Sequence, residues 1–261
     1  MAVDEALTQE VREGRSRPAL RFYTWVHPAI SCGYFQDIER ELDLEACRER
    51  GIEVVRRPTG GRAVFHGSDL TISLAALESE PRIGNDIGET YRKIAEAISC
   101  GLKDLGFPVE LVRSQASGKE SLSSASCFAS KARHELVLEE RKIFGGAQKR
   151  WEGVVLSQGS LQIWRDGNVP PELMRTGVRS FRSQPKALSE ATKVYPDRVK
   201  EGIAEGFRRI FEVVLSPDAL TEKERTATLK IIEKYRSPLR KRETLPGGKA
   251  PGNIFQPTSL T

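Results

Sequence analysis

A glycine-rich turn between two extended, apolar segments constrains the fold of this chain more than any other stretch. The segment from Val54 to Leu74 reads VVRRPTGGRAVFHGSDLTISL, with Pro58 and the pair Gly60-Gly61 at its tip. Proline fixes one backbone angle and glycine adopts angles that other residues resist, so the pattern predicts a tight turn between two strands. Backbone N–H groups at such a tip can approach a carboxylate or phosphate directly. An ordinary hairpin with charged edges is the alternative interpretation.

Charged and titratable side chains surround this turn. Arg56, Arg57 and Arg62 place positive charge around the tip. His66 ends the second strand, where an imidazole could carry a proton near neutral pH. A histidine with a purely structural role fits the same position.

Hydrophobic spacing along the rest of the chain predicts an α+β fold with mainly antiparallel sheets and packed helices on one side. Apolar residues recur every three or four positions in the predicted helices, which cover residues 1–14, 43–50, 87–105, 196–214 and 221–235. Short β-rich segments predict strands at residues 20–25, 29–34, 54–57, 62–66, 70–75, 109–112, 134–138, 142–148 and 153–163.

The cysteines favour a reducing compartment. Cys32, Cys47, Cys100 and Cys127 are irregularly spaced, and no CxxC pair is present. This spacing argues against a zinc site and against a disulfide framework. Cys32 and Cys47 fall within a predicted strand and helix, where small buried side chains are expected. With no apolar run of about 18 residues and no secretion signal, we expect a cytoplasmic protein without a membrane partner.

The net charge limits the possible partners. The chain carries a formal charge of +5 and has a pI near 9.0. No recognised nucleic-acid motif accompanies this charge, so we expect no nucleic-acid partner. A basic surface can steer encounters with acidic proteins. Solubility alone is the alternative interpretation of this charge.

Two separated segments carry a family resemblance. RRPTGGRAVFHGSDLTISL resembles the glycine-rich loop of the biotin/lipoate protein ligase superfamily, and RKIFGGAQKRWEGVVLSQGSLQI (residues 141–163) is similar to its lysine strand and the following hairpin. MAVDEAL and PAISCGYFQ match the order that the superfamily shows before the loop. Superfamily members usually have a strand ahead of the first helix, and this chain begins where that strand would end.

The resemblance implies a ligase-like catalytic domain over residues 1–215, followed by a C-terminal helix and a basic, flexible tail over residues 216–261. It implies no metal and no cofactor. The substrate-binding residues that it implies are Arg57, Thr59, Gly60, Gly61, Arg62, His66, Gly145, Gly146 and Ala147.

The predicted function depends on Cys127. It follows a loop rich in small residues, and a cysteine near a basic group such as Lys142 is more readily a thiolate. Octanoyltransferases of this superfamily, of the type common in Gram-positive bacteria, place a nucleophilic cysteine in a Cys-Phe pair before an E-L strand and the lysine strand. Cys127-Phe128 and Lys142 fit that order, so the resemblance implies that Cys127 and Lys142 are catalytic.

Other details of the sequence bear on the same resemblance. Residues 59–64 read TGGRAV, the form more typical of the transferases than of the lipoate ligases. The strand after the lysine commonly reads L-Q-H-G in the superfamily, whereas this chain has Gln158 at the histidine position. The superfamily also usually has an acidic residue after Cys-Phe, and residues 129–133 contain none.

The resemblance implies an acyltransferase of lipoate biosynthesis. Cys127 would take an octanoyl group from octanoyl acyl carrier protein and pass it to the lysine of a lipoyl domain, such as the glycine-cleavage H protein. An ATP-dependent lipoate–protein ligase is the first alternative, in which the glycine loop and Arg56-Arg57 would hold phosphate and carboxylate. A non-catalytic protein that binds acyl carriers is the second alternative.

Overall fold

The computed structural model describes residues 1–112, 135–164, 169–175 and 186–235. In this part of the chain the helices are α1 (Ala2–Arg12), α2 (Ile38–Glu41), α3 (Leu44–Glu49), α4 (Ile87–Asp104), α5 (Pro196–Phe211) and α6 (Glu222–Ile232). The strands are β1 (Ala19–Tyr23), β2 (Ala29–Cys32), β3 (Glu53–Arg56), β4 (Val64–His66), β5 (Asp69–Leu77), β6 (Val109–Val112), β7 (Glu135–Leu138), β8 (Arg141–Lys142), β9 (Phe144–Trp151) and β10 (Val154–Gln162).

The largest sheet, sheet A, has the strand order β1-β5-β10-β9 and is antiparallel throughout. Successive side chains of a strand point to opposite faces, so each strand of sheet A presents two sets of residues. The apolar face includes Leu70, Ile72 and Leu74 of β5. The polar face, as we call the opposite one, carries Asp69, Thr71, Ser73, Gln158, Ser160 and Gln162, all of them buried.

Sheet B forms around the glycine turn and shows that this turn is not a hairpin. Its order is β3-β2-β4, with β3 parallel and β4 antiparallel to β2. The turn therefore joins two strands that have a third strand between them, and the hairpin interpretation is wrong. The backbone N–H of Arg57 donates to the carbonyl of Cys32 at 2.9 Å, so the chain leaves β3 still attached to β2.

A third sheet, sheet C, contains β6, β7 and β8 in antiparallel order. The single strand predicted over residues 142–148 is split, because β8 ends at Lys142 and β9 begins at Phe144. The side chain of Ile143, between them, lies in the main core. This break lets one continuous segment of chain contribute to both sheet C and sheet A.

Helices cover both faces of sheet A. Helices α4 and α5 pack on the apolar face, where their residues share one core cluster with β5 and β10. Glycines bring these helices close, since a Cβ atom at Gly206 would lie 2.0 Å from the carbonyl oxygen of Ala97. Helix α1 packs on the polar face, so the expectation of helices on one side only is wrong.

Helix α6 lies against the outer side of α1. Ile231 clusters with Ala2 and Ala6, and the Tyr235 hydroxyl donates to the carboxylate of Glu5 at 2.7 Å. The predicted boundary at residue 215 stays a prediction, although the described part of the C-terminal segment contacts α1 directly. The predicted flexible tail after residue 235 lies outside the described residues.

The α+β fold with mainly antiparallel sheets is confirmed, since β2 with β3 is the parallel pair among these described sheets. None of the helices in the described ranges combines the length and apolar character that crossing a membrane requires.

Candidate active site

The glycine turn is held in one shape by the backbone that passes beneath it. A Cβ atom at Gly33 would lie only 1.9 Å from the carbonyl oxygen of Gly61, so position 33 has no room for a side chain. Gly61 has a φ of 82°, a conformation that side chains other than hydrogen disfavour. The N–H of Tyr34 donates to the carbonyl of Thr59 at 2.9 Å. The turn is therefore packed directly onto residues 33–34.

Two buried arginines brace this turn from within. The guanidinium of Arg57 donates to the carbonyls of Gly60, Arg62 and Ser31, each with a contact of 2.7 Å. The guanidinium of Arg56 donates to the carbonyls of Tyr34 and Gln36, at 2.9 and 2.6 Å. Buried donors need such partners, and here backbone oxygens supply them. Both arginines thus shape the loop itself, a role that the sequence interpretation did not foresee.

A cavity lies between the glycine turn and the polar face of sheet A. Including its opening to solvent, it measures about 320 Å³. Five of the predicted site residues line it: Arg57, His66, Gly145, Gly146 and Ala147. Seven further residues complete the lining: Met1, Ser31, Val64, Thr71, Gln158, Gly159 and Ser160. The small side chains of β9 and β10 leave the space that a ligand would occupy.

The predicted residues of the turn itself lie beside this cavity. Thr59 is fully buried, and its hydroxyl donates to the Oε1 atom of Gln158 at 3.0 Å. Gly61 approaches β9, where its Cβ position is 3.3 Å from the Cβ atom of Ala147. Gly60 and Arg62 present their carbonyls to Arg57. The structure therefore brings the glycine turn and β9 together, as the sequence predicts.

Ser31, His66 and Asp69 form a hydrogen-bonded array along one wall of the cavity. The Nε2 atom of His66 lies 2.7 Å from the Ser31 hydroxyl, and its Nδ1 atom lies 2.8 Å from the carboxylate of Asp69. Trp25 stacks on the imidazole with ring centroids 4.2 Å apart. All three members of the array are buried.

Asp69 is ionised in this setting. Burial alone would raise the pKa of its carboxyl group, but the neighbouring His66 and the hydrogen bonds from His66, Ser160 and the Gly67 N–H lower it. The Ser160 hydroxyl donates to this carboxylate at 2.7 Å. These contacts favour the ionised form of the carboxylate that hydrogen-bonds to Nδ1 of His66.

A second network connects α1 to the glycine turn. Asp4 is fully buried and accepts hydrogen bonds from Arg21, Tyr23 and the Nε2 atom of Gln158, at 2.7, 2.8 and 2.7 Å. Burial alone would raise the pKa of Asp4, but the positive charges beside it, including Arg21, and these hydrogen bonds lower it. Through Gln158 and Thr59, the carboxylate on α1 is coupled to the turn.

Lys142 lies outside the cavity lining, on β8. Its side chain is buried, and its ammonium is 3.4 Å from the carboxylate of Glu135 on β7. The sequence predicts that Lys142 neighbours Cys127. Cys127 lies outside the described residues, so this pairing and the catalytic role of both residues stay predictions.

Comparison with known proteins places this architecture in a family. A family model described as the lipoyl protein ligase A/B catalytic domain matches residues 1–208. The chain belongs to this family.

Relatives in the lipoyl protein ligase A/B family match nearly the whole chain. A protein of Moorella thermoacetica named octanoyltransferase LipM is 40% identical over 245 residues, which is 90% of each chain. Proteins with the same name from Kyrpidia tusciae and Geobacillus kaustophilus are 38% and 39% identical, covering 90% and 86% of each chain. The predicted resemblance is confirmed.

Solved structures of lipoate-protein ligases share the fold. A lipoate-protein ligase A solved with bound ATP is 26% identical, with a TM-score of 0.74, and the match covers 89% of this chain and 88% of that one. A putative lipoate protein ligase of Thermoplasma acidophilum, solved with bound lipoic acid, is 24% identical with a TM-score of 0.74 over 94% and 93% of the two chains.

Within this family member, the cysteines that the structure describes are poor nucleophiles or lie away from the cavity. Burial raises the pKa of the Cys32 thiol to about 12 and also raises that of Cys47. Both side chains belong to the small core around sheet B, which confirms that they are buried structural residues. Cys100 lies on α4, on the side of sheet A opposite the cavity.

Sequence reasoning missed Asp4, Ser31, Asp69, Gln158 and Ser160. For Asp69, Gln158 and Ser160 the available signal was the alternation of polar and apolar residues in DLTISL and SQGSLQI. Such alternation is typical of a sheet with one face in solvent. Here the polar face is covered by α1 and sheet B, and three of its polar residues, Thr71, Gln158 and Ser160, line the cavity.

Proposed function

We propose that the chain is an octanoyltransferase that moves an octanoyl group from acyl carrier protein, through a cysteine thioester, to the lysine of a lipoyl domain. The observation that carries this proposal is the set of relatives named octanoyltransferase LipM, at 38–40% identity over about nine-tenths of the chain. The TGGRAV form of the glycine turn supports the same assignment.

The first half-reaction loads the enzyme. The thiolate of Cys127 attacks the carbonyl carbon of the octanoyl thioester, a new C–S bond forms, and the thiolate of the carrier leaves. The ammonium of Lys142 stabilises the negative charge that develops on the carbonyl oxygen. Glu135, 3.4 Å from that ammonium, holds it in place.

The second half-reaction forms the product. The lysine amine of the lipoyl domain attacks the acyl-enzyme, a C–N bond forms, and the Cys127 sulfur departs. Exchange between two thioesters has a free-energy change near zero. The second step is favourable because an amide is more stable than a thioester. The reaction consequently needs no ATP and no cofactor.

In this proposal the acyl chain lies along the cavity beneath the glycine turn. The side chains of Val64 and Ala147 and the glycines of β9 and β10 line this cavity. In this proposal the N–H groups of Gly60 and Gly61 help to place the acyl group. Arg57 and Thr59 keep the turn in position through their hydrogen bonds to Gly60 and Gln158. His66 borders the same space.

The partners follow from the reaction and from charge. Proteins that carry acyl groups are typically acidic, and the net charge of +5 favours their encounter with this chain. We propose octanoyl acyl carrier protein as the donor and a lipoyl domain, such as the glycine-cleavage H protein, as the acceptor. The described cysteines are free thiols, in keeping with a reducing cytoplasm.

A pair of assays tests this proposal against the ligase alternative. One supplies octanoyl acyl carrier protein and a lipoyl domain without ATP, and the other supplies lipoate, ATP and the lipoyl domain. We expect product in the first assay alone, and we expect Cys127→Ser to abolish it while Cys100→Ser leaves it unchanged. Product that requires ATP and survives Cys127→Ser would establish a ligase. Binding of the carrier without product in either assay would establish a non-catalytic protein.

A further inference from the structure

The Ser31–His66–Asp69 array has an atomic arrangement that suits proton transfer rather than packing alone. Ser31 lines the cavity, its hydroxyl is 2.7 Å from Nε2 of His66, and Nδ1 of His66 is 2.8 Å from Asp69. A hydroxyl, an imidazole and a carboxylate in this sequence can move a proton inward from the hydroxyl and stabilise the resulting imidazolium.

The hydrogen-bond partners fix the direction of each bond. Ionised Asp69 can only accept, and it receives bonds from Ser160, Thr71 and the Gly67 N–H as well as from His66. Nδ1 of His66 therefore carries a hydrogen. In the neutral ring, Nε2 is then the acceptor, and the Ser31 hydroxyl donates to it.

Ser31 retains the capacity to accept a proton from the cavity. Its hydroxyl oxygen has two lone pairs, and one accepts from Nη1 of Arg57 at 3.1 Å. Among the described residues, the guanidinium of Arg57 on the turn contacts Ser31, Tyr23 of β1 lies near Asp69, and the amino-terminal residue Met1 lines the same cavity. The ring is held by stacking against Trp25, whose Nε1 atom donates to Thr71 at 2.9 Å.

The second half-reaction requires a group that removes a proton from the acceptor lysine. A lysine amine has a pKa of about 10.4, so at neutral pH the acceptor arrives as an ammonium and must lose a proton before it can attack. On the basis of the proposed function, we propose that Ser31, His66 and Asp69 form the proton relay that deprotonates the acceptor lysine of the lipoyl domain.

The step balances in atoms and charge. The ammonium gives one proton to Ser31 as Ser31 passes its own proton to Nε2 of His66, and Asp69 stabilises the imidazolium. The free amine then forms the C–N bond, the C–S bond breaks, and the second amine proton goes to the departing sulfur, which leaves as a thiol. The imidazolium afterwards releases its proton to solvent.

The competing interpretation is that the array only joins strands, because Ser31, His66 and Asp69 belong to β2, β4 and β5. Two different nucleophiles distinguish a proton relay from a purely structural role. Enzyme loaded with octanoyl thioester is mixed either with the lipoyl domain or with hydroxylamine, an amine that is already uncharged at neutral pH. A relay matters only to the first of these, whereas misplacement of the thioester affects both.

We expect His66→Gln to slow transfer to the lipoyl domain by about 100-fold or more at neutral pH while changing hydroxylamine cleavage by less than about threefold. The defect should shrink as pH rises toward the pKa of lysine, where the amine loses its proton without help. Ser31→Ala should act in the same direction, and Ser31→Thr, which restores a hydroxyl, should recover most of the rate. Ser73→Ala is the matched control, because it removes a buried hydroxyl from the same polar face outside the array.

Equal losses with both nucleophiles and no dependence on pH would show a structural role and overturn the relay, as would full activity of both His66→Gln and Ser31→Ala. If His66→Gln fails to fold, the Ser31 variants decide between these outcomes. Failure of the wild-type enzyme to accept octanoate from the carrier would instead refute the proposed function, and the relay with it.

Discussion

At the scale of the residue, Asp4 shows that a side chain outside the cavity lining can control the geometry of the site. Its carboxylate is fully buried and holds Arg21, Tyr23 and Gln158, and Gln158 in turn holds Thr59 of the glycine turn. A charged group without exposure to water depends on such partners, and the partners depend equally on the charge. Gln158 connects the two sides of this network because its amide offers an N–H donor to Asp4 and an oxygen acceptor to Thr59.

We predict that Asp4→Asn lowers the free energy of unfolding at neutral pH by roughly 3 kcal/mol, because it leaves a partly buried guanidinium without its counter-charge. Urea unfolding followed by circular dichroism measures this change. The control is Asp197→Asn, whose carboxylate is 90% exposed and pairs with Lys200 on the surface. Its effect should stay below about 0.5 kcal/mol.

The stability difference between wild type and Asp4→Asn is also predicted to depend on pH. Because the pKa of Asp4 is lowered in the folded protein, its stabilisation is complete above the unfolded value of about 3.9 and is lost as pH falls through the folded value. The stability difference between wild type and Asp4→Asn should therefore shrink in acid. A difference that grows below pH 4 would contradict this account of Asp4.

The identities of several site residues could be predicted from sequence because they sit in recognisable motifs. Arg57, His66 and Gly145 were predicted in this way, and the structure places them around one cavity. The inward-facing role of Arg57 could not be predicted, since a sequence does not show which carbonyls surround a guanidinium. Asp4 and Ser31 lie in ordinary helical and strand patterns, so only their tertiary contacts reveal them.

At the scale of the element, the glycine turn depends on a residue outside it. Gly33 follows β2, and its hydrogen atoms are all that separate its backbone from the carbonyl oxygen of Gly61. The hairpin prediction failed because local turn chemistry says nothing about a third strand inserted between the two that the turn connects. The sheet order depends on long-range pairing of β2 with both β3 and β4.

We predict that Gly33→Ala destabilises the protein by at least about 2 kcal/mol and strongly reduces octanoyl transfer, since the turn must move to admit the methyl group. Gly60→Ala is the control, because a Cβ atom there meets nothing within 4 Å and its N–H is kept. Thermal unfolding measures both variants, and the transfer assay measures Gly33→Ala. Equal behaviour of the two would show that the close approach of residues 33 and 61 does not constrain the site.

At the scale of the whole molecule, α6 packs against α1, the first helix of the chain. Tyr235 donates to Glu5, the Ser16 hydroxyl donates to Glu224 at 2.6 Å, and Ile231 packs on Ala2 and Ala6. Glu5 is adjacent in sequence to Asp4, so the contacts of α6 support the helix that organises the cavity. Sequence spacing alone predicts that α6 exists but not which surface it covers.

We predict that the chain unfolds in urea in one cooperative transition and that Tyr235→Phe lowers the free energy of unfolding by about 1.5 kcal/mol, the value of a hydrogen bond to a charged group. Leu229→Ala is the control, because that side chain is 67% exposed and should contribute little. A separate early transition would instead show that the segment after residue 215 unfolds as its own unit.

The central claim is that one sulfur of this chain carries the octanoyl group, and intact-mass spectrometry tests it most directly. The protein is incubated with octanoyl acyl carrier protein without an acceptor, alongside Cys127→Ala and the control Cys100→Ala. We predict that wild type and Cys100→Ala each gain the mass of one octanoyl group, removed by hydroxylamine, and that Cys127→Ala gains none. An unchanged mass in the wild type, or an adduct that persists in Cys127→Ala, would contradict the account.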